Sequence, residues 1–360
     1  MVDEIAHDLR AQVMKHNAKK RVILFVSLGL VAVLFLLSLM VGSSGLSFAE
    51  SFLALFGNGT NAAVRIVQQI RLPEALAALI AGAGLALAGL MMQSTLKNPM
   101  ASPSTLGVSN AAVFGANLSI IAFAGGFLET GNNPQDFALG ANPFATSTIA
   151  FFFAAISTLL ILGLCSVRGF ASETVVLAGI ALGTIWTAFT TLLQFFATDV
   201  GLSAAVIWTF GDLGRATFTT DWIMLAVVVA SGVVFYVLQW RFNAIAADED
   251  VASTLGVKVK LLRFVSMFLA SLVTAVCVSY LGIIGFVGII CPHVMRRIVG
   301  SNHRFLIPGS MLCGSMLLLF SSLMSHVIGR GTALPVGAIT AILGGPFFLY
   351  LIFARKGGRV

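Results

Sequence analysis

Ten apolar runs of about 17–24 residues recur along the chain, each bounded by polar, proline or glycine breaks: 22–42, 73–94, 107–126, 146–166, 174–197, 222–240, 262–280, 283–299, 308–328 and 335–354. At 1.5 Å per residue, about 20 apolar residues cross the hydrocarbon core of a bilayer. The pattern therefore predicts an all-α polytopic membrane protein of about ten transmembrane helices, with tails at 1–21 and 355–360 and one membrane domain over 22–354. The seventh and eighth runs are joined only by Tyr280-Leu281-Gly282-Ile283-Ile284-Gly285, which reads equally as a break within one bent helix.

Only 10% of the residues are charged against 58% hydrophobic, where a soluble domain carries roughly 25% charge. Such a chain has no room for a separate soluble enzyme domain. The net charge of +7 does not form a patch; the basic residues recur between the apolar runs, as juxtamembrane residues do, and nucleic acid is excluded as a partner. Cys165, Cys277, Cys291 and Cys313 lie in or at the end of apolar runs without a CxxC pair, so they read as packing residues rather than as a disulfide framework or zinc site. The first run follows Lys15, Lys19, Lys20 and Arg21 and exceeds the 7–15 residues of a signal-peptide core. It reads as a retained span, with a cleaved signal as the alternative.

With ten spans, all of the 21 Lys and Arg residues fall on one side except Arg65, Arg71, Arg215 and Arg330. The positive-inside rule then places both termini in the cytoplasm. No Asp, Glu, Lys or Arg lies near the middle of an assigned run, which argues against a proton-coupled transporter; sodium coupling through backbone carbonyls stays open. There is no HExxH or GxSxG, so an intramembrane enzyme is disfavoured.

Four segments carry more information. Arg71-Leu72-Pro73-Glu74 leads into a strip of Gly82, Ala86, Gly89 and Gln93, whose small residues allow another helix to pack closely, and then into Asn98-Pro99-Met100-Ala101-Ser102-Pro103-Ser104-Thr105-Leu106-Gly107. In the fifth run Thr184, Thr187, Thr191 and Gln194 share one helix face, which either lines a wet pathway or bonds to a neighbouring helix. Residues 243–260 lie between runs six and seven. Ala247, Val251 and Leu255 are spaced by four, Asp248, Glu249 and Asp250 enrich the first half, and Gly256 offers a stop, so a short amphipathic helix is expected, either docking a partner or lying on lipid headgroups. Finally, in Gly285-Phe286-Val287-Gly288-Ile289-Ile290-Cys291-Pro292-His293, the lone His293 reads as a structural hydrogen-bonder, and no metal ligands are assigned.

The first, third and fourth of these segments, with Ala333-Leu334-Pro335-Val336-Gly337 and Gly344-Gly345-Pro346-Phe347-Phe348, resemble the FecCD-type permease family of ABC importers from about Arg71 to the C-terminus. The resemblance implies a type II importer of the bacterial inner membrane. Two ten-span permeases, most simply a homodimer, would stand over two cytoplasmic ATPases and receive an iron chelate, siderophore or haem, from a periplasmic or lipid-anchored binding protein; cobalamin and oxyanions are the family's alternatives. No Lys follows a Gly, so the chain lacks a phosphate-binding loop and is expected to be non-catalytic, with ATP and Mg on the partner ATPase and no cofactor of its own.

The resemblance also implies residue roles. Ala247, Asp248, Glu249, Val251, Leu255 and Gly256 would couple to the ATPase. Arg71 would dock acidic residues of the binding protein; Glu74 and His326 stand where arginines are expected, with Arg330 one turn after His326 as a substitute. Ser172, Glu173 and Thr174 would form a constriction at the start of the fifth span, although Glu173 is equally explained by the helix N-terminus.

Overall fold

The computed structural model describes residues 2–42, 44–124, 142–167, 170–329 and 334–353. Among the described residues, seven helical stretches are long and apolar enough to cross a membrane: Met14–Met40, Asn61–Thr95, Pro143–Val167, Ser172–Phe195, Phe218–Val237, Val259–Leu281 and His303–Gly329. The first is the apolar part of α1 (Val2–Met40), which continues the N-terminal tail as one helix. The second begins as α3 (Asn61–Arg65), passes through a π-helical stretch at Ile66–Arg71 and becomes α4 (Leu72–Thr95). A short helix, α2 (Phe48–Leu55), precedes it, closed at its N-terminus by a Ser47–Glu50 capping box.

The remaining apolar runs form shorter helices. The third is α5 (Val108–Asn117), extended by a π-helical stretch to Phe123. After α6 (Pro143–Val167) and α7 (Ser172–Phe195) comes α8 (Asp199–Thr209), a helix that apolar-run counting did not separate. Then follow α9 (Phe218–Val237), α10 (Gln239–Ala247), α11 (Glu249–Thr254) and α12 (Val259–Leu281). The chain closes with α13 (Val287–Val299), α14 (His303–Gly329) and α15 (Val336–Phe353).

Runs seven and eight are two helices, not one bent helix. Gly282 at φ +78° and Phe286 at φ +67° turn the chain between α12 and α13, and the extended link binds the segment that follows α8. Ile283 forms a parallel bridge with Phe210, Asp212 N donates to Leu281 O at 2.8 Å, and Gly337 N donates to Gly211 O at 3.1 Å. Irregular backbone at membrane depth is tolerated where other protein backbone satisfies it. A Cβ on Gly211 or on Gly337 would come within 2.4 Å of Ile283 O, so this three-way junction requires glycine at both positions.

The centre of the bundle is α4. It contacts α9, α12, α13 and α14, and its residues are buried almost throughout. The small-residue strip explains how. A Cβ on Gly82 would stand 2.4 Å from Gly314 O of α14, and one on Gly89 would overlap Gly288 O of α13. Where lipid tails are as apolar as leucine, such backbone approach supplies the van der Waals contact that drives helices together.

Candidate translocation and coupling sites

One exposed face of α7 forms a groove with α5 and the 3₁₀ turn Pro103–Leu106 that precedes it. The groove has a volume of about 440 Å³, and its polar lining comes from Ser104, Thr105, Asn110, Thr184, Thr187 and Thr191, with no charged residue among its lining. Close approach builds it: a Cβ on Gly179 would sit 2.5 Å from Thr105 O, and Gly107 adopts φ +78° with Gly183 against it. The threonine hydroxyls donate to their own helix, Thr184 to Ile180 O (2.9 Å), Thr187 to Gly183 O (2.9 Å) and Thr191 to Thr187 O (3.0 Å). Their oxygens remain acceptors toward the groove, and Asn110 Nδ2 uses one of them, Thr187 Oγ1, at 2.9 Å.

The four residues of this face do not share one environment. Thr184, Thr187 and Thr191 line the groove, whereas Gln194 Nε2 bonds across to Asn117 Oδ1 at 3.0 Å. Ser172, Glu173 and Thr174 lie at the opposite end of α7 from Gln194 and do not line the groove; Glu173 is exposed in the first turn, where the unpaired backbone N–H groups favour a carboxylate. Ser104 and Thr105 belong to the proline-rich segment that the sequence marks out, without a pathway role being read for them, and Asn110 has no sequence signal beyond its polarity within an apolar run.

At the other end of α4, Arg71 and His326, the residues expected to dock a binding protein, bond within the chain. Arg71 is only 4% exposed. Its Nη1 donates to Leu39 O (3.0 Å), Met40 O (3.1 Å) and Ser51 Oγ (3.1 Å), and its Nη2 donates to Ser44 Oγ (2.6 Å). The guanidinium fork meets carbonyls in the last turn of α1, which have no partner within that helix, so Arg71 ties α1 to the central helix. His326 is likewise turned inward: its Nε2 lies 2.8 Å from Glu74 Oε1, which also accepts from Ser322 Oγ at 2.8 Å. The two positions that depart from the family's arginines are thus partners of each other. Arg330 lies outside the described residues.

The loop after α9 also differs from expectation. Asp248 is extended (φ −162°, ψ 148°) and breaks the loop into α10 and α11, so Ala247 belongs to a different helix from Val251 and Leu255. Asp248 Oδ1 accepts from Asp250 N (2.8 Å) and Val251 N (3.2 Å); these backbone bonds hold its carboxyl below the usual aspartate range. Val251 and Leu255 remain on one face, bonded from Leu255 N to Val251 O, and are 52% and 62% exposed, while Ala252 beneath them is fully buried. Gly256 ends the helix at φ +81° as its position predicts. Glu249 is not part of the apolar face; its carboxylate pairs with Arg263 of α12 and lies 3.9 Å from Lys97 Nζ.

Comparison with known proteins matches these features to one family. The profile of the FecCD transport family covers residues 30–354. An ABC transporter permease protein of Methanocaldococcus jannaschii is 44% identical over 345 residues, 95% of this chain and 97% of that one. The vitamin B12 import system permease protein BtuC of Escherichia coli is 34% identical over 325 residues, 90% of this chain and 92% of its own length. A solved structure described as an inward-facing conformation of a metal-chelate type ABC transporter superposes with a TM-score of 0.77 at 28% identity, covering 93% of this chain and 99% of that one.

Proposed function

The chain belongs to the FecCD transport family and is the permease of an ABC importer, and we propose that it conducts a bulky metal chelate through a pathway walled by the α7 groove. The observation that carries this reading is the uncharged, acceptor-rich face of Thr184, Thr187 and Thr191, left exposed at the edge of a bundle whose centre is closed by α4. A large polar chelate needs a wall that offers weak hydrogen bonds without a charge to trap it. A second copy facing this groove completes the pathway, and a closed two-fold pair is the simplest assembly of identical permeases.

Both termini lie in the cytoplasm, a reading that the distribution of basic residues supports. On that side two partner ATPases, which hold ATP and Mg, dock on Val251 and Leu255; their closure moves α11 and the helices fixed to it. A binding protein delivers cargo from the opposite side. The chain itself contributes no cofactor and no catalytic residue.

Within the chelate class, likeness to vitamin B12 import permeases supports a corrinoid ahead of the iron siderophore or haem favoured by the family as a whole. Titrating the purified cognate binding protein with cyanocobalamin, ferrichrome and haemin tests this choice. Tight binding of cyanocobalamin alone is expected; retention of ferrichrome or haemin alone assigns the permease to iron.

A further inference from the structure

The last three residues of α4 each bond to a different part of the bundle. Gln93 Nε2 donates to Gly288 O and Ile289 O, both at 3.2 Å, in the first turn of α13. Ser94 Oγ lies 2.8 Å from His303 Nε2, at the start of α14. Asn243 Oδ1, on α10, accepts from the His303 backbone N–H (2.9 Å) and lies 2.8 Å from His303 Nδ1. An oxygen that accepts from the backbone accepts from the ring as well, so Nδ1 carries the proton and Nε2 accepts from Ser94. Thr95 O, finally, accepts from Arg263 Nε at 3.1 Å, and the same guanidinium pairs with Glu249 at the head of α11.

Capping alone does not account for this arrangement. A helix end needs partners for its carbonyls, and Arg263 alone would supply one to Thr95. Here two separate connections, one through each helix of the cytoplasmic loop, converge on adjacent residues of one helix: α11 through Arg263 to Thr95, and α10 through His303 to Ser94. Gln93, Ser94, Thr95 and His303 are all buried, whereas the loop ends of the two links, Asn243 and the Arg263–Glu249 pair, are only partly covered. The receiving helix is itself locked by backbone contact at Gly82–Gly314 and Gly89–Gly288, so it moves as a body with its neighbours.

We propose that Gln93, Ser94 and Thr95 are the junction through which the cytoplasmic loop drives α4 and α13, with Arg263, His303 and Asn243 as its positioning residues. This inference rests on the coupling role given to the loop above. Arg263 acts as a two-armed link, one arm on the loop and one on α4; a lysine has a single ammonium and holds only one arm well.

The test uses the permease assembled with its ATPase in liposomes and a Thr187→Cys reporter in the α7 groove, labelled by a membrane-impermeant cationic methanethiosulfonate. Labelling of the chain without the reporter is subtracted. In the parent, trapping with ATP and vanadate changes the labelling rate; in Arg263→Lys and in His303→Gln, with the ATPase still bound, that change falls at least about fivefold, the scale of an allosteric coupling. A full change in both variants overturns the junction. Loss of the ATPase from Arg263→Lys also overturns it, because Arg263 would then build the docking helix rather than transmit its motion. Failure of the loop's coupling role reads differently: Val251→Asp keeps its ATPase, or the parent itself shows no change on trapping.

Discussion

His326 Nε2 lies 2.8 Å from Glu74 Oε1 across 252 residues of sequence, joining one end of α14 to the start of the central helix α4. Ser322 Oγ shares the same carboxylate oxygen. Both residues occupy positions where the family resemblance leads one to expect arginine. Two arginines turned inward here would repel each other, whereas a carboxylate and an imidazole attract, so each departure makes the other tolerable.

Removing one member leaves a buried polar group short of a partner, at a cost of about 1–3 kcal/mol. His326→Ala and Glu74→Ala should each lower the melting temperature in detergent, and the double variant should lose less than the sum of the two. Strict additivity in this cycle would mean that the pair is incidental.

Arg71 should behave as a structural residue. Arg71→Ala leaves carbonyls at the end of α1 without their donors and should reduce the folded yield. Arg71→Glu should fail for the same reason rather than by repelling a binding protein. A well-folded Arg71→Glu permease that had lost only its receptor would restore the docking assignment.

Val251 and Leu255 stand exposed on one face of α11. Val251→Asp or Leu255→Asp should weaken ATPase binding about thirtyfold or more, as loss of an interface hot spot does, with the permease still inserted. Quantitative co-purification from detergent measures this directly. Undiminished recovery of the ATPase would leave the face to lipid headgroups.

Asp248 caps α11 as a carboxylate. Because its folded pKa is depressed, the cap's contribution is fully present above the ordinary aspartate pKa and is lost as pH falls through the folded value. Asp248→Asn should keep the cap and remove this acid sensitivity, while Asp248→Ala should fray the helix at every pH. Hydrogen exchange at the Asp250 and Val251 amides, compared at neutral and acid pH, separates the variants; equal protection in all three would contradict the cap.

The spans were legible because about twenty apolar residues in a row leave a chain few alternatives, and the Gly82–Gly89 strip announced close packing through residue size alone. Gly256 marked its helix end correctly. The break at Asp248 was less visible: spacings of four through Ala247, Val251 and Leu255 suit one continuous helix, and only the reach of Asp248 to the amides two and three residues on reveals a new start. The bonds of Arg71 were not legible because its acceptors, the Leu39 and Met40 carbonyls, are backbone atoms some thirty residues away. The Glu74–His326 pair and the Ser94–His303–Asn243 chain join residues from distant helices, and tertiary packing, not local pattern, sets such pairings.

As the permease of an ABC importer, this chain should conduct a metal chelate only when a separate ATPase drives it. Uptake of radiolabelled cyanocobalamin, ferrichrome and haemin into liposomes holding the permease and its ATPase, with binding protein outside, tests it most directly. One chelate, cyanocobalamin first among them, should accumulate only with internal ATP and external binding protein, and Val251→Asp should abolish this. Accumulation by the permease alone under a proton or sodium gradient would contradict it.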